Sequence, residues 1–239
     1  VDYFIICESM YDHKGRRKKI NFELKNLRIK NKIIHIILDH PFPEPDDPWK
    51  CQAYQRDFML KNLTIAKEDD YIMFSDPDEI PNPNILKNMS MKKKYGIFLQ
   101  KSYVYKLNIF NKFETPWEGT RICKKKNLKS INFMRQKVLM KNLKKWWRFD
   151  KEKNIEIYKN GGWHFNNCFS PEEISIKLKS FAHSEFGEDK YSNVNIIKEK
   201  IQKKSDLFDR DWNFEKVKID NTFPEYISKN IDILKNHID

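Results

Sequence analysis

Three carboxylates, Asp76, Asp78 and Glu79, follow the apolar run Tyr71–Phe74. Four apolar residues in succession predict a buried strand. Pro77 and Pro81 stop a helix or central strand from continuing through the acids. The acids therefore belong at a strand's C-terminal end, where open α/β sheets bind ligands. Two carboxylates separated by one residue and facing a cleft make a hard-oxygen site for Mg²⁺ or Mn²⁺ shared with a diphosphate. The competing reading is a solvated acidic turn, because Asp-x-Asp is frequent by chance. Asp78 is the first choice as direct ligand and Asp76 the second. Glu79 either joins the chemistry or orients the loop.

A second group lies at Gly161-Gly162-Trp163-His164-Phe165. Glycines let the backbone approach closely and imidazole accepts a divalent cation, so His164 is a third candidate ligand. A buried histidine bonded to a carbonyl is the alternative. Farther on, Ser170, Pro171 and Glu173 supply the N-cap, first position and capping box of a helix. That helix is predicted to bury Ile174, Leu178, Phe181 and Ala182. Glu172, Lys179 and His183 fall on its opposite face, turned either to water or to a ligand.

The elements that must hold these groups are legible in the first half. Phe4–Cys7 reads as a buried strand ending at Glu8 and Ser9. Ile33–Leu38 is a second strand, β-branched and apolar apart from His35. Four prolines between Pro41 and Pro48 impose an irregular loop. Trp49–Ala66 has a one-sided apolar pattern of helical period. After the acids come a short helix over Asn84–Met91 and a strand over Ile97–Tyr105. This alternation predicts an α/β sheet with parallel strands. Residues 106 to 160 mix basic and aromatic types without a clear period. Charged helical stretches follow around Ile196–Lys204 and Tyr226–Lys235.

The chain has 239 residues with 33% charged and 14% aromatic, which excludes a disordered class. Its net charge of +12 favours anionic partners. Lys, Asn and Ile dominate, a bias that an AT-rich genome also produces. Four separated cysteines, Cys7, Cys51, Cys123 and Cys168, form no Cys-x-x-Cys pair, so zinc binding is not expected. Reduced thiols, no secretory signal and no run of about 18 apolar residues lead to an expected cytoplasmic location without a transmembrane segment.

Along the chain, Phe4-Ile-Ile-Cys-Glu-Ser9, Gly15, Gln55-Arg56, Ser75-Asp-Pro-Asp-Glu-Ile-Pro81, Gly162-Trp-His164 and Ser170-Pro-Glu-Glu-Ile174 with Lys177 and Ser180 occur in an order that resembles glycosyltransferase family 17. The resemblance spans roughly Val1 to Phe186. It implies a GT-A-like α/β fold, with a mixed, mostly parallel sheet flanked by helices. It implies an inverting transfer of a sugar from a UDP-sugar donor, UDP-GlcNAc, to a glycan acceptor, with Mn²⁺ or Mg²⁺ as cofactor. Asp76 and Asp78 match the family's metal and diphosphate motif. Glu79, Trp163, His164 and Glu172 match further signature positions. Members usually carry an additional strand and helix before the Val-Asp-x-Phe segment. The expectation is therefore a single domain over 1–239 lacking that first unit, with 187–239 as a C-terminal helical extension.

Within that frame, a metal neutralises charge that develops on the leaving diphosphate. Asp76 acts directly, through water, or on the donor ribose. Glu8, Ser9 and Arg56 are donor-binding candidates, with Lys18 a weaker one. Arg offers the bidentate geometry that phosphate favours. Glu172 and Glu79 are candidate catalytic carboxylates, and Glu118 is a weaker base candidate. Trp163 and His183 are candidate acceptor or sugar contacts, with a core position the alternative for Trp163. Three rival functions stay open: a truncated, inactive glycosyltransferase, a metal-dependent nucleotidyl- or phosphotransferase using the same acidic cluster, and a basic nucleic-acid-binding protein using Lys92–Lys94, Lys124–Lys126 and Lys144-Lys145-Trp146-Trp147-Arg148. No RNA-binding fingerprint accompanies those runs, so no nucleic-acid partner is expected.

Overall fold

The computed structural model of the chain describes residues 1–180 and 188–239. Near the N-terminus, β1 (Phe4–Ser9) and β2 (Ile33–Leu38) pair in parallel, Phe4 opposite Ile33 and Ser9 opposite Leu38. Helix α1 (Pro48–Phe58) follows the proline-rich loop. The Asp47 carboxylate accepts the N–H groups of Trp49 and Lys50, and Pro48 occupies a position where a missing N–H costs nothing. Gln55 Nε2 donates to the Cys7 carbonyl at 3.1 Å and ties α1 to the end of β1. The helix predicted to reach Ala66 is α-helical only to Phe58 and tightens into a 3-10 helix over Met59–Ile65.

The larger sheet is built from β3 (Tyr71–Phe74), β4 (Glu79–Pro81), β5 (Tyr95–Val104), β6 (Ile109–Phe110), β7 (Trp117–Lys124), β8 (Ile155–Asn166) and β9 (Glu215–Lys216). Its order is β3-β7-β5-β6-β9, with β8 paired to β5 and β4 paired to β8. Only β5 and β8 run parallel; the other pairs of this sheet are antiparallel. The expected mostly parallel sheet is therefore corrected. The architecture is mixed α/β, but β5 turns back at once into β6, which suits antiparallel pairing, and β3 joins β7 rather than β2. A second correction concerns β3. Among the described residues it pairs only with β7, so it is an edge strand in which Ile72 is buried and Tyr71 exposed.

Helices α2 (Pro83–Asn88), α3 (Ile131–Lys137) and α4 (Pro171–Ser180) attach to this sheet. The central core joins Ile97, Tyr95 and Cys123 of the sheet to Ile131 and Met134 of α3. Beyond residue 187 come α5 (Asp189–Ser192), α6 (Val194–Lys203) and α7 (Glu225–Lys229). Ile197 of α6 packs with Ile174 and Leu178 of α4 against Val104, Tyr105 and Ile109. Ser170 and Glu173 form the reciprocal capping box at the start of α4, at 2.8 and 3.2 Å. Among the described residues, no helix is long and apolar enough to cross a membrane.

Candidate active site

The acidic segment leaves edge strand β3 and turns at once. Glu79 N–H bonds back to the Asp76 carbonyl at 3.0 Å, and β4 then pairs antiparallel with β8, Glu79 opposite His164. This pairing joins the two motifs that lie far apart in sequence. It needs Gly162 at φ +130, where a Cβ would collide with the Ile80 carbonyl oxygen.

The three acids meet different partners. The Asp76 carboxylate is held by two guanidinium groups: Arg135 Nη2 at 2.8 Å and Arg56 Nη2 at 3.5 Å. Asp78 Oδ2 lies 3.6 Å from His164 Nε2. Glu79 Oε1 accepts the Trp117 indole N–H at 2.9 Å and Arg135 Nη2 at 3.2 Å. The side chains of Asp76 and Asp78 are 27% and 26% exposed, whereas that of Glu79 is 1% exposed. Only the two aspartates can meet a ligand from solvent.

The protonation equilibria differ accordingly. Burial pushes the Glu79 carboxyl above its ordinary range, against the pull of Arg135 and the Trp117 hydrogen bond. Burial also opposes ionisation of Asp78, but His164 and Lys177 outweigh it and hold that carboxyl below the usual range. Burial lowers the Lys177 ammonium, with Asp78 opposing. Lys177 Nζ donates to Asn167 Oδ1 at 2.9 Å.

Sequence reasoning missed Arg135 and Trp117. Trp117 opens β7 and stacks on His164 with ring centroids 4.5 Å apart and planes 11° apart. Arg135 lies on α3, whose N-cap Ser130 accepts the Phe133 N–H. A signal for Arg135 existed. It stands four residues after the buried Ile131, hence on the same helix face, and a charge on a buried face requires a partner.

The other sequence candidates sit elsewhere. Arg56 is buried at the cluster, with its guanidinium 5.6 Å from the centroid of the Phe74 ring. Glu8, at the end of β1, accepts the N–H groups of Asn21 and Phe22 and the Lys18 ammonium. Buried Ser9 accepts the Tyr11 N–H. Both shape the loop after β1. Trp163 is a core residue among Tyr103, Phe165 and Phe223, its indole N–H donating to the Thr222 carbonyl at 3.0 Å. Glu118 Oε2 accepts the Met140 N–H. Glu172 is exposed and ion-paired with Lys198 of α6 at 3.0 Å. That hydrogen bond lowers its carboxyl pKa. His183 lies outside the described residues, as do Phe181 and Ala182.

Cations bound together with substrate phosphates need only one or two protein carboxylates. Asp78 Oδ2 and His164 Nε2 lie side by side as an oxygen and a nitrogen, 3.6 Å apart. This pair fits a divalent cation. Asp76, engaged by two arginines, does not fit as a direct ligand in this arrangement. Among the described residues, no group of three or more His, Cys, Asp or Glu side chains is assembled for a metal.

Arg56 also lines a surface cleft of about 290 Å³ between α1 and α3, with Trp49, Gln52, Ala53, Asn132 and Gln136. The cluster thus adjoins a space near the lower end of the roughly 300–1,000 Å³ typical of small-molecule sites.

The chain is similar to β-1,4-mannosyl-glycoprotein 4-β-N-acetylglucosaminyltransferases of Rattus norvegicus and Homo sapiens, each 24% identical over 215 residues, covering 78% of this chain and 39% of the relative. The Mus musculus protein of that name matches to the same extent. The chain therefore spans about two fifths of the length of these curated relatives. No solved structure matches it significantly. The family model for glycosyltransferase family 17 matches residues 1–217. That span contains the acidic turn, both arginines, and the Gly-Trp-His strand that faces them, and the chain belongs to glycosyltransferase family 17.

Proposed function

We propose that the protein is an inverting glycosyltransferase on a GT-A-like framework. It moves a sugar, GlcNAc by analogy with its relatives, from a UDP-sugar to a glycan acceptor. The observation that carries this reading is the convergence of Arg56 and Arg135 on Asp76 beside the cleft, in a chain of this family.

Glycosyl transfer leaves negative charge on the departing diphosphate, and groups already aimed at that charge lower the barrier. Arg56 faces the cleft on one side and Asp76 on the other. A diphosphate entering the cleft meets a guanidinium already oriented, with the fork geometry that suits phosphate oxygens. Arg135 is held ready by Asp76 and Glu79. Asp78 and His164 would hold a divalent cation, Mn²⁺ or Mg²⁺, which would supply further positive charge to stabilise the departing diphosphate. Glu79, closed to solvent, positions Arg135 and Trp117 rather than touching substrate. Trp117 in turn fixes the plane of the His164 ring.

Calorimetric titration tests the reading. UDP and UDP-GlcNAc are titrated into wild type with Mn²⁺ and with EDTA, and into Asp78→Ala. Metal-dependent binding that is lost in the variant supports it. Absence of binding to wild type under every condition overturns it.

A further inference from the structure

The chain between α3 and β8 carries the most exposed aromatic cluster of the described residues. Its base is fixed. Met140 and Leu143 pack on the central core, and buried Asn142 donates from Nδ2 to the Lys137 carbonyl at 2.8 Å. Beyond that base, Trp146, Trp147 and Phe149 are 77%, 56% and 93% exposed. Large rings seldom stand this far into water together unless something covers them. Between Lys141 and Lys153 stand six basic residues, Lys141, Lys144, Lys145, Arg148, Lys151 and Lys153, against two acids, Asp150 and Glu152. Arg148 and Lys151 pair with Asp150 at 2.7 and 3.3 Å, and Lys153 lies over the Phe149 ring at 5.4 Å. Lys141, Lys144 and Lys145 have no ion pair among the described residues.

We propose that this projection docks the protein on an anionic lipid bilayer, its rings entering the headgroup layer and its lysines facing lipid phosphates. Indole rings prefer the membrane–water boundary, and basic side chains beside them add attraction to anionic lipid. Stable anchoring takes two signals, and apolar insertion beside a basic patch supplies two. The net positive charge gives a neutral surface no advantage, so the lipid is anionic. The geometry also disfavours single-stranded nucleic acid. Trp146 and Trp147 meet edge to face, at 89° and 6.2 Å, and so do not present parallel faces for successive bases. The inference does not depend on the glycosyltransferase reading.

Co-sedimentation tests it. The full chain is mixed with vesicles of phosphatidylcholine alone or of phosphatidylcholine with phosphatidylglycerol, at low and high salt. Two variants accompany it: Trp146→Ser/Trp147→Ser/Phe149→Ser and Lys141→Glu/Lys144→Glu/Lys145→Glu. The altered side chains are exposed, and unchanged thermal melts verify that both variants fold. The expected result is binding to the anionic vesicles only, weakened by salt, with affinity falling at least about tenfold in each variant. No binding to anionic vesicles, or equal binding by wild type and variants, overturns the proposal. Tighter binding of the same patch to a single-stranded RNA oligonucleotide than to vesicles also overturns it.

Discussion

One nitrogen of Arg135 serves two acids: Nη2 lies 2.8 Å from Asp76 Oδ2 and 3.2 Å from Glu79 Oε1. Removing the guanidinium strands a carboxylate that is almost fully buried. Arg135→Ala is expected to destabilise the fold by about 3–5 kcal/mol, the usual cost of breaking a buried pair from one side. Arg135→Lys keeps the charge but loses the fork, and is expected to recover only part of that loss. Urea denaturation of the three proteins checks both.

The neighbouring acids Asp78 and Glu79 are expected to act in opposite directions as pH changes. Glu79 is raised above its ordinary value by burial, so its favourable contribution is complete below that ordinary value and is lost as pH rises through the raised one. Asp78 is held low against burial by His164, so its contribution is present above the ordinary Asp value and is lost as pH falls through the lowered one. Glu79→Gln is thus expected to reduce the fall in stability above about pH 4, and Asp78→Asn the fall below it. Urea midpoints across pH, measured in EDTA, decide. Identical profiles for wild type and both variants would contradict this assignment.

Much of the frame is legible from sequence because its signals are local. The β2 boundaries, the α4 capping box and the turn after β3 depend on residues a few positions apart. The sheet direction is not legible, because it depends on which distant strand β3 joins. Strand β7 was hidden for another reason. Its buried positions include Arg121 and Thr120, so an apolar alternation never forms. Arg121 is satisfied instead by carbonyls, including that of Val138 at 3.0 Å. Within the candidate site, Asp76, Asp78 and His164 stood out by motif. Arg135 did not, being one of 46 basic residues and marked only by its spacing of four from Ile131 in a stretch without a clear period.

Trp163 belongs to the core rather than to an open sugar-binding face. Trp163→Ala is expected to cost about 3–5 kcal/mol through the lost packing. Trp163→Phe is expected to cost less, losing chiefly the bond to Thr222. Thermal melts measure the stabilities, and donor titration of the folded Trp163→Phe protein should give an unchanged affinity.

Glu172 is placed as a helix-terminal charge beside Lys198. Glu172→Gln is expected to keep its melting temperature, its donor affinity and its turnover with any acceptor found. A loss of turnover near 100-fold, the scale of general base removal, would return Glu172 to the reaction.

The three-residue pairing of β4 with β8 has a consequence for how the protein comes into being. Until β8 has left the ribosome, Glu79 has no His164 strand beside it and Asp78 lacks its imidazole. Arg56, Asp76 and Arg135 are all synthesised earlier. The anion-gripping half of the cluster can therefore assemble on a nascent chain before the Asp78 half exists. Completion of the cluster marks the point in synthesis at which the larger sheet has gained its parallel strand pair.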